Sequence, residues 1–309
     1  MPYRLTHFSD RFLVGQLNLR GFESRRIATS MGQMHVLDAR GRGNLPPLLV
    51  LHGFSAAGYL YEGVLARMRP HVRRVIAPDM LGHGFSAMPR AGLDHQSVRT
   101  ALLETIDRVV DEPVLVFGNS MGGAAALCLA IERPKKVRGL FLVAPGGAPM
   151  EGEELHTFID RFRLRNHDEA LDFVDRLFHK PHPMRQILAW GTRMQFSRPG
   201  LRELLERMSP GELVRAHDLA KLNMPIHVLW GAADRVLHPS HLDFYQRHLP
   251  AHARIQVVEH FGHVPHIDHP EELYRRLLAF ATDLETRPLA GLGPADRPDF
   301  VPVSSVAAP

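Results

Sequence analysis

Three side chains able to share one reaction occur in the order serine, aspartate, histidine, each in a turn after an apolar run. They are Ser120 in Gly118-Asn119-Ser120-Met121-Gly122, Asp234 in Gly231-Ala232-Ala233-Asp234, and His263 in Gly262-His263-Val264-Pro265. A serine hydroxyl is a weak nucleophile near neutral pH and needs a base, which in turn needs an orienting acid. Residues 113–117 read as a buried strand, and Ala-rich 123–131, closed by Arg133-Pro134, reads as a helix. A G-x-S-x-G between strand and helix makes a tight turn that lifts the hydroxyl off the sheet, and the small residues at 118 and 122 keep its neighbours from colliding. Upstream, strand 48–51 runs into His52-Gly53-Phe54-Ser55. That turn can set the Phe54 N–H opposite the Met121 N–H, a pair suited to a developing oxyanion.

Rival readings of the polar residues are weaker. His260, His263, His266 and His269 recur every third residue, but Gly262, Pro265 and Pro270 interrupt any regular helix, and no cysteine or acidic set accompanies them. No metal is therefore expected. Asp79 ends a strand and can organise the Gly82–Gly84 loop; it is the main rival to Asp234 as the acid. Asp268 reads as an acidic helix start before Pro270. His52 and His83 read as braces of turns, and Cys128, the only cysteine, as a small hydrophobe behind the serine turn.

The elements that must position these residues alternate along the chain. An antiparallel pair is predicted at 25–30 and 33–39, then strands at 48–52, 75–78, 113–117, 139–144, 225–230 and 254–258, with helices near 58–69, 95–110 and 121–132. Such alternation builds a mostly parallel, eight-stranded α/β sheet with helices on both faces. Asp234 and His263 then fall beyond the carboxyl ends of strands, where ligands bind in such sheets. Between residues 147 and 221 strand signals stop. Leu155, Phe158, Ile159 and Phe162, and again Leu201, Leu204, Leu205 and Met208, follow helical spacing, and Leu171, Val174 and Phe178 suggest another helix. The expected organisation is a core of 25–146 and 222–285, a helical insert at 147–221, an N-terminal extension at 1–24, and a disordered Pro-, Ala- and Gly-rich tail at 286–309.

With 309 residues, 45% of them hydrophobic, the chain can bury a sizeable core. A net charge of +4 without a basic stripe argues against nucleic acid. No stretch approaches 18 apolar residues, so integral membrane association is not expected, and residues 1–20 lack a secretory pattern, which points to the cytoplasm. Oligomeric state is not legible.

Taken in order, His52-Gly53-Phe54, the segment 78–86 (PDMLGHGFS), the Ser120 turn, Gly231-Ala232-Ala233-Asp234 and Gly262-His263-Val264-Pro265-His266 resemble the α/β-hydrolase family of serine hydrolases over about residues 25–284. The resemblance implies a Ser120–His263–Asp234 triad, an oxyanion hole of Phe54 and Met121, no cofactor, and the insert as a cap over the site. Substrate contacts would come from Phe158, Phe162, Trp190, Met194, Phe196 and Val264. This set implies a small-molecule carboxylic ester with an apolar acyl or aryl group. Cofactor-free perhydrolase, thioesterase or lactonase activity stays open, and so do two further alternatives. One is a C–C hydrolase of meta-cleavage products from aromatic catabolism, whose members often carry Asn before the serine but commonly have tryptophan where this chain has Val264. The other is a non-catalytic, ligand-binding member of the fold.

Overall fold

The computed structural model describes residues 2–209 and 214–286, with side chains from residue 10 onward. Among them, eight strands form one sheet in the order β1-β2-β4-β3-β5-β6-β7-β8. They are β1 (Glu23–Thr29), β2 (Gly32–Arg40), β3 (Leu48–Leu51), β4 (Arg74–Pro78), β5 (Val114–Asn119), β6 (Val137–Val143), β7 (Ile226–Gly231) and β8 (Arg254–Val258). The β1–β2 and β2–β4 pairs are antiparallel and every other pair is parallel.

The central strands are apolar throughout because both faces of the sheet are covered, as a parallel sheet requires. Leu49, Leu51, Val116, Leu140 and Leu142 pack on one side. There they meet α3 (His95–Val109), α4 (Met121–Glu132) and α10 (Pro239–His248) through residues such as Ile106, Leu127 and Tyr245. Their alternate neighbours Leu48, Val50, Leu115, Phe117 and Phe141 pack on the other side. That side is covered by α1 (Pro2–Leu19), α2 (Glu62–Met68) and α12 (Pro270–Thr286), through Val14 and Leu17, Leu65 and Met68, and Leu273 and Leu277. The period-two alternation within each strand thus divides one apolar sequence between two cores.

Local chemistry sets the helix ends. The Asp94 carboxylate accepts from Ser97 N–H while the Ser97 hydroxyl receives the Asp94 N–H, a reciprocal cap on α3. Pro134 follows α4, where a proline cannot continue the helix. Between β6 and β7 lie α5 (Gly152–Arg161), α6 (His167–Leu177), α7 (Arg185–Phe196), α8 (Pro199–Glu206) and α9 (Ala216–Leu219). The apolar spacings predict α5, α6 and α8, whereas α1, α7, α9 and α10 have no counterpart among the predicted helices. Asp268 ends the short α11 (Pro265–Asp268) instead of starting a helix; the acidic first turn of α12 is Glu271 and Glu272. Of the disordered tail expected at 286–309, Thr286 instead ends α12, and 287–309 lie outside the described residues.

Candidate active site

Ser120 joins β5 to α4 with φ 55° and ψ −120°, a left-handed conformation unusual for a residue with a side chain. Holding it costs about 1–3 kcal/mol, which the surrounding hydrogen bonds offset. Ser120 N–H donates to the Val143 carbonyl at 3.1 Å, and the Ser120 carbonyl accepts from Gly123, Gly146 and Ala124 N–H at 2.8, 2.9 and 3.2 Å. The flanking glycines are steric necessities. A Cβ on Gly118 would stand 2.4 Å from the Gly122 oxygen, and one on Gly122 would stand 2.0 Å from the Leu51 oxygen.

Asp234 and His263 come from the turns after β7 and β8, and the structure joins them directly. The Asp234 carboxylate accepts from His263 Nδ1 at 2.7 Å, and both side chains are almost fully buried. Its second oxygen accepts from the N–H groups of Val236 and Leu237 at 2.8 and 3.2 Å. With Nδ1 engaged as donor, Nε2 is the nitrogen left to accept a proton. His263 N–H donates to the Leu177 carbonyl at 2.7 Å, and Arg235 bonds the carbonyls of Asp175 and Phe178, so the end of α6 is docked on both loops.

The turn after β3 lies against the serine: a Cβ on Gly53 would be 3.5 Å from Ser120 Cβ. Buried His52 braces it, with Nδ1 donating to the Gly53 carbonyl and Nε2 accepting from Met80 N–H, both at 2.8 Å. Burial lowers the His52 pKa, in keeping with a neutral ring that both donates and accepts. Met121 opens α4 and is packed on the core. Phe54 turns its ring toward α5 and α7, edge-on to Phe162 at 5.7 Å and Phe196 at 5.3 Å.

Of the candidate substrate contacts, Phe158, Phe162, Phe196 and Val264 fall in one apolar cluster with Phe54. Trp190 does not: it is 43% exposed. Helix α7 turns Leu188, Ala189 and Phe196 inward, and Trp190, on the side of Ala189 away from Leu188 and about 200° round from it, points off that face. Met194 is half-buried and also stands outside the cluster.

The competing polar residues have other partners. Asp79 accepts from His35 Nδ1, Gly58 N–H and Phe85 N–H at 2.8, 2.7 and 2.9 Å, so it organises the turn after β4. The histidines at 260, 263, 266 and 269 diverge: His260 bonds Glu272 at 2.7 Å, His266 stacks on Tyr61, and His269 stacks on Phe261. Cys128 is partly buried, and burial raises its thiol pKa. No helix among the described residues is long and apolar enough to cross a membrane.

Two residues that sequence reasoning did not place in the site join its parts. Asn119 spans from the serine turn to the His263 carbonyl, and Tyr61 links Asn119 to Gly53 N–H. Asn119 was marked only by its position before the serine, and Tyr61 carries no local signal.

A family model described as the alpha/beta hydrolase family matches residues 48–276. The chain belongs to that family. It is 25% identical over 295 residues to Lipase 1 of Psychrobacter immobilis, covering 90% of each chain. Two solved structures superpose with the same TM-score of 0.71. Naproxen esterase (carboxylesterase NP) from Bacillus subtilis is 20% identical, with 90% of this chain and 96% of that one covered. The 2-hydroxy-6-oxo-6-phenylhexa-2,4-dienoate hydrolase of Rhodococcus sp. is 21% identical, with 84% and 98% covered. Equal likeness to an esterase and to a dienoate hydrolase means that the fold does not choose the substrate.

Proposed function

We propose that this protein is a serine hydrolase of the lipase and esterase type, cleaving carboxylic esters with an apolar acyl or aryl group. The observation that carries the reading is an elbow serine on the same sheet edge as an imidazole already hydrogen-bonded to a buried carboxylate. His263 Nε2 takes the proton of Ser120 as the hydroxyl attacks the ester carbonyl. Asp234 fixes the imidazole tautomer and stabilises the cation that forms. Phe54 and Met121 N–H groups stabilise the tetrahedral oxyanion, each contributing about 2.7–4 kcal/mol of barrier lowering. The alcohol departs with the proton held by His263, and water activated by the same ring releases the acid. No metal or coenzyme is required by these steps.

The helices between β6 and β7 act as a cap. The apolar preference follows from Phe54, Phe158, Phe162, Phe196 and Val264, which pack in one apolar cluster that joins that segment to the turn beside the serine. Similarity to a lipase of 90% mutual coverage supports the same reading.

The test is a panel of p-nitrophenyl esters of increasing acyl length beside a dienoate ring-fission product, with fluorophosphonate labelling in parallel. Ester turnover and labelling lost in Ser120→Ala are expected. Turnover of the dienoate with negligible ester cleavage would replace the reading by C–C hydrolysis, and a wild-type protein inert to both substrates and probe would make it a binding protein.

A further inference from the structure

Asn119 and Tyr61 form a buried hydrogen-bond chain that touches three catalytic segments at once. Both side chains are at most 2% exposed. Asn119 Nδ2 donates to the carbonyls of His263 and Val143, each at 3.1 Å. Only an NH2 group can serve two carbonyl oxygens, so the amide orientation is fixed and Oδ1 must face Tyr61. The Tyr61 hydroxyl donates to that Oδ1 at 2.8 Å and accepts from Gly53 N–H at 3.1 Å. Every donor along the path Gly53, Tyr61, Asn119, His263 therefore points the same way.

The chain's ends lie beside the reacting groups. Asn119 is covalently next to Ser120, His263 is the base itself, and Gly53 precedes the Phe54 N–H. The phenol is clamped as well: His266 stacks on Tyr61 with centroids 4.2 Å apart and planes at 16°, and Phe117 stands edge-on at 6.0 Å. Burial raises the Tyr61 pKa, keeping it a donor, and lowers that of His266 to about 3, so the stacked ring adds no second cation beside His263. These three segments come from different parts of the chain, and the bonds among them span 144, 58 and 8 positions.

We propose that Asn119 and Tyr61 are positioning residues that hold the nucleophile turn, the base loop and the oxyanion turn in one geometry, acting as a single unit. The proposal rests on the serine-hydrolase reading above. Neither side chain touches the ester. Their effect passes through the placement of Ser120, His263 and Phe54 N–H, where a misplacement of about 1 Å costs on the order of 10²-fold in rate.

The experiment is a double-mutant cycle of Tyr61→Phe and Asn119→Ala on the full chain, reading kcat, KM, the fluorophosphonate labelling rate and Tm. Tyr61→Phe removes one hydroxyl and leaves the ring stacked on His266, which guards against loss of the fold. Each variant is expected to lower kcat and the labelling rate together by about 10- to 100-fold, with KM within about twofold. The double variant should be no slower than the worse single one, because a broken unit cannot be broken twice. Losses that multiply in the double variant, or a Tyr61→Phe protein with wild-type kcat and labelling, would overturn the proposal while leaving the hydrolase reading standing. A wild-type protein inert to esters and to the probe would instead sink both.

Discussion

Phe54 meets Phe196 edge-on, with ring centroids 5.3 Å apart and planes at 65°, so a residue of the turn beside Ser120 also belongs to the apolar interior of the segment between β6 and β7. The same ring is edge-on to Phe162 at 5.7 Å and to buried His83 at 5.8 Å. A large side chain at 54 therefore ties the position of α5 and α7 to the backbone N–H assigned to the oxyanion.

Phe54→Ala should lose that tie. Removing a half-buried phenyl costs part of the 3–5 kcal/mol seen at fully buried sites, so about 2 kcal/mol of stability is expected. Activity on p-nitrophenyl esters should fall more than stability implies, with kcat/KM down by at least about tenfold, while Phe54→Leu keeps most of both. Urea unfolding beside steady-state kinetics checks this; an alanine variant with unchanged kcat/KM would break the link between insert and turn.

Ser120→Gly and Ser120→Ala separate strain from chemistry. Both remove the nucleophile and should abolish ester turnover. At φ 55° a glycine is relaxed and an alanine is not. The glycine variant regains part of the ~1–3 kcal/mol of strain, less about 0.5–1 kcal/mol for the freer unfolded chain. It should therefore melt above Ser120→Ala, by an amount on the order of 1 kcal/mol. Calorimetry of the two inactive proteins decides it, and equal melting temperatures would mean the elbow holds no strain.

Two glycine-to-alanine changes should go opposite ways. At Gly122 the new methyl would lie 2.0 Å from the Leu51 carbonyl, backbone against backbone in the layer under the elbow. Nothing there can yield, and a loss above about 4 kcal/mol is expected, enough to prevent soluble accumulation. At Gly191, inside α7, nothing lies within 4 Å of the added carbon. Gly191→Ala should stabilise by about 0.5–1 kcal/mol through helix propensity alone. Soluble yield and melting temperature of the pair measure the contrast.

Much of the geometry of this candidate site is legible in the chain because it is tied to local backbone form. The serine turn demands glycine at 118 and 122, and strands such as Leu48–Leu51 are buried on both faces and read as unbroken apolar runs. The eight strands, α3, α4 and the apolar spacings of α5, α6 and α8 follow from such patterns. What stayed hidden depends on tertiary contact. Tyr61 reaches Asn119 across 58 positions and Asn119 reaches His263 across 144, and no periodicity encodes either. The orientation of α7 is of the same kind: Trp190 resembles a pocket residue by type, but Leu188, Ala189 and Phe196 take the inward face. Asp268 misleads similarly, since the proline at 270 starts α12 without using the aspartate as its acidic first turn.

Acid should unfold this protein before its carboxylates are protonated. His83, His227 and His241 are at most 7% exposed, and burial lowers their pKa values to about 3, 4 and 4. In an unfolded chain the same imidazoles titrate near 6.5. Above that pH they are neutral in both states and add no pH dependence. As pH falls below about 6.5 the unfolded chain binds protons that the folded one refuses until pH 3–4, so stability drops by about 1.4 kcal/mol per pH unit for each group. At pH 5 each of the three costs about 2 kcal/mol, together a large part of a typical domain's 5–15 kcal/mol. His227 lies between the rings of Phe141 and Phe280 at 5.3 and 5.8 Å, which makes phenylalanine a fitting replacement. Burial lowers the pKa values of His52 and His266 as well, so His227→Phe should narrow the gap between melting temperatures at pH 7.5 and pH 5 by roughly a fifth of its histidine-driven part. An unchanged gap in that variant would show that His227 does not drive the acid transition.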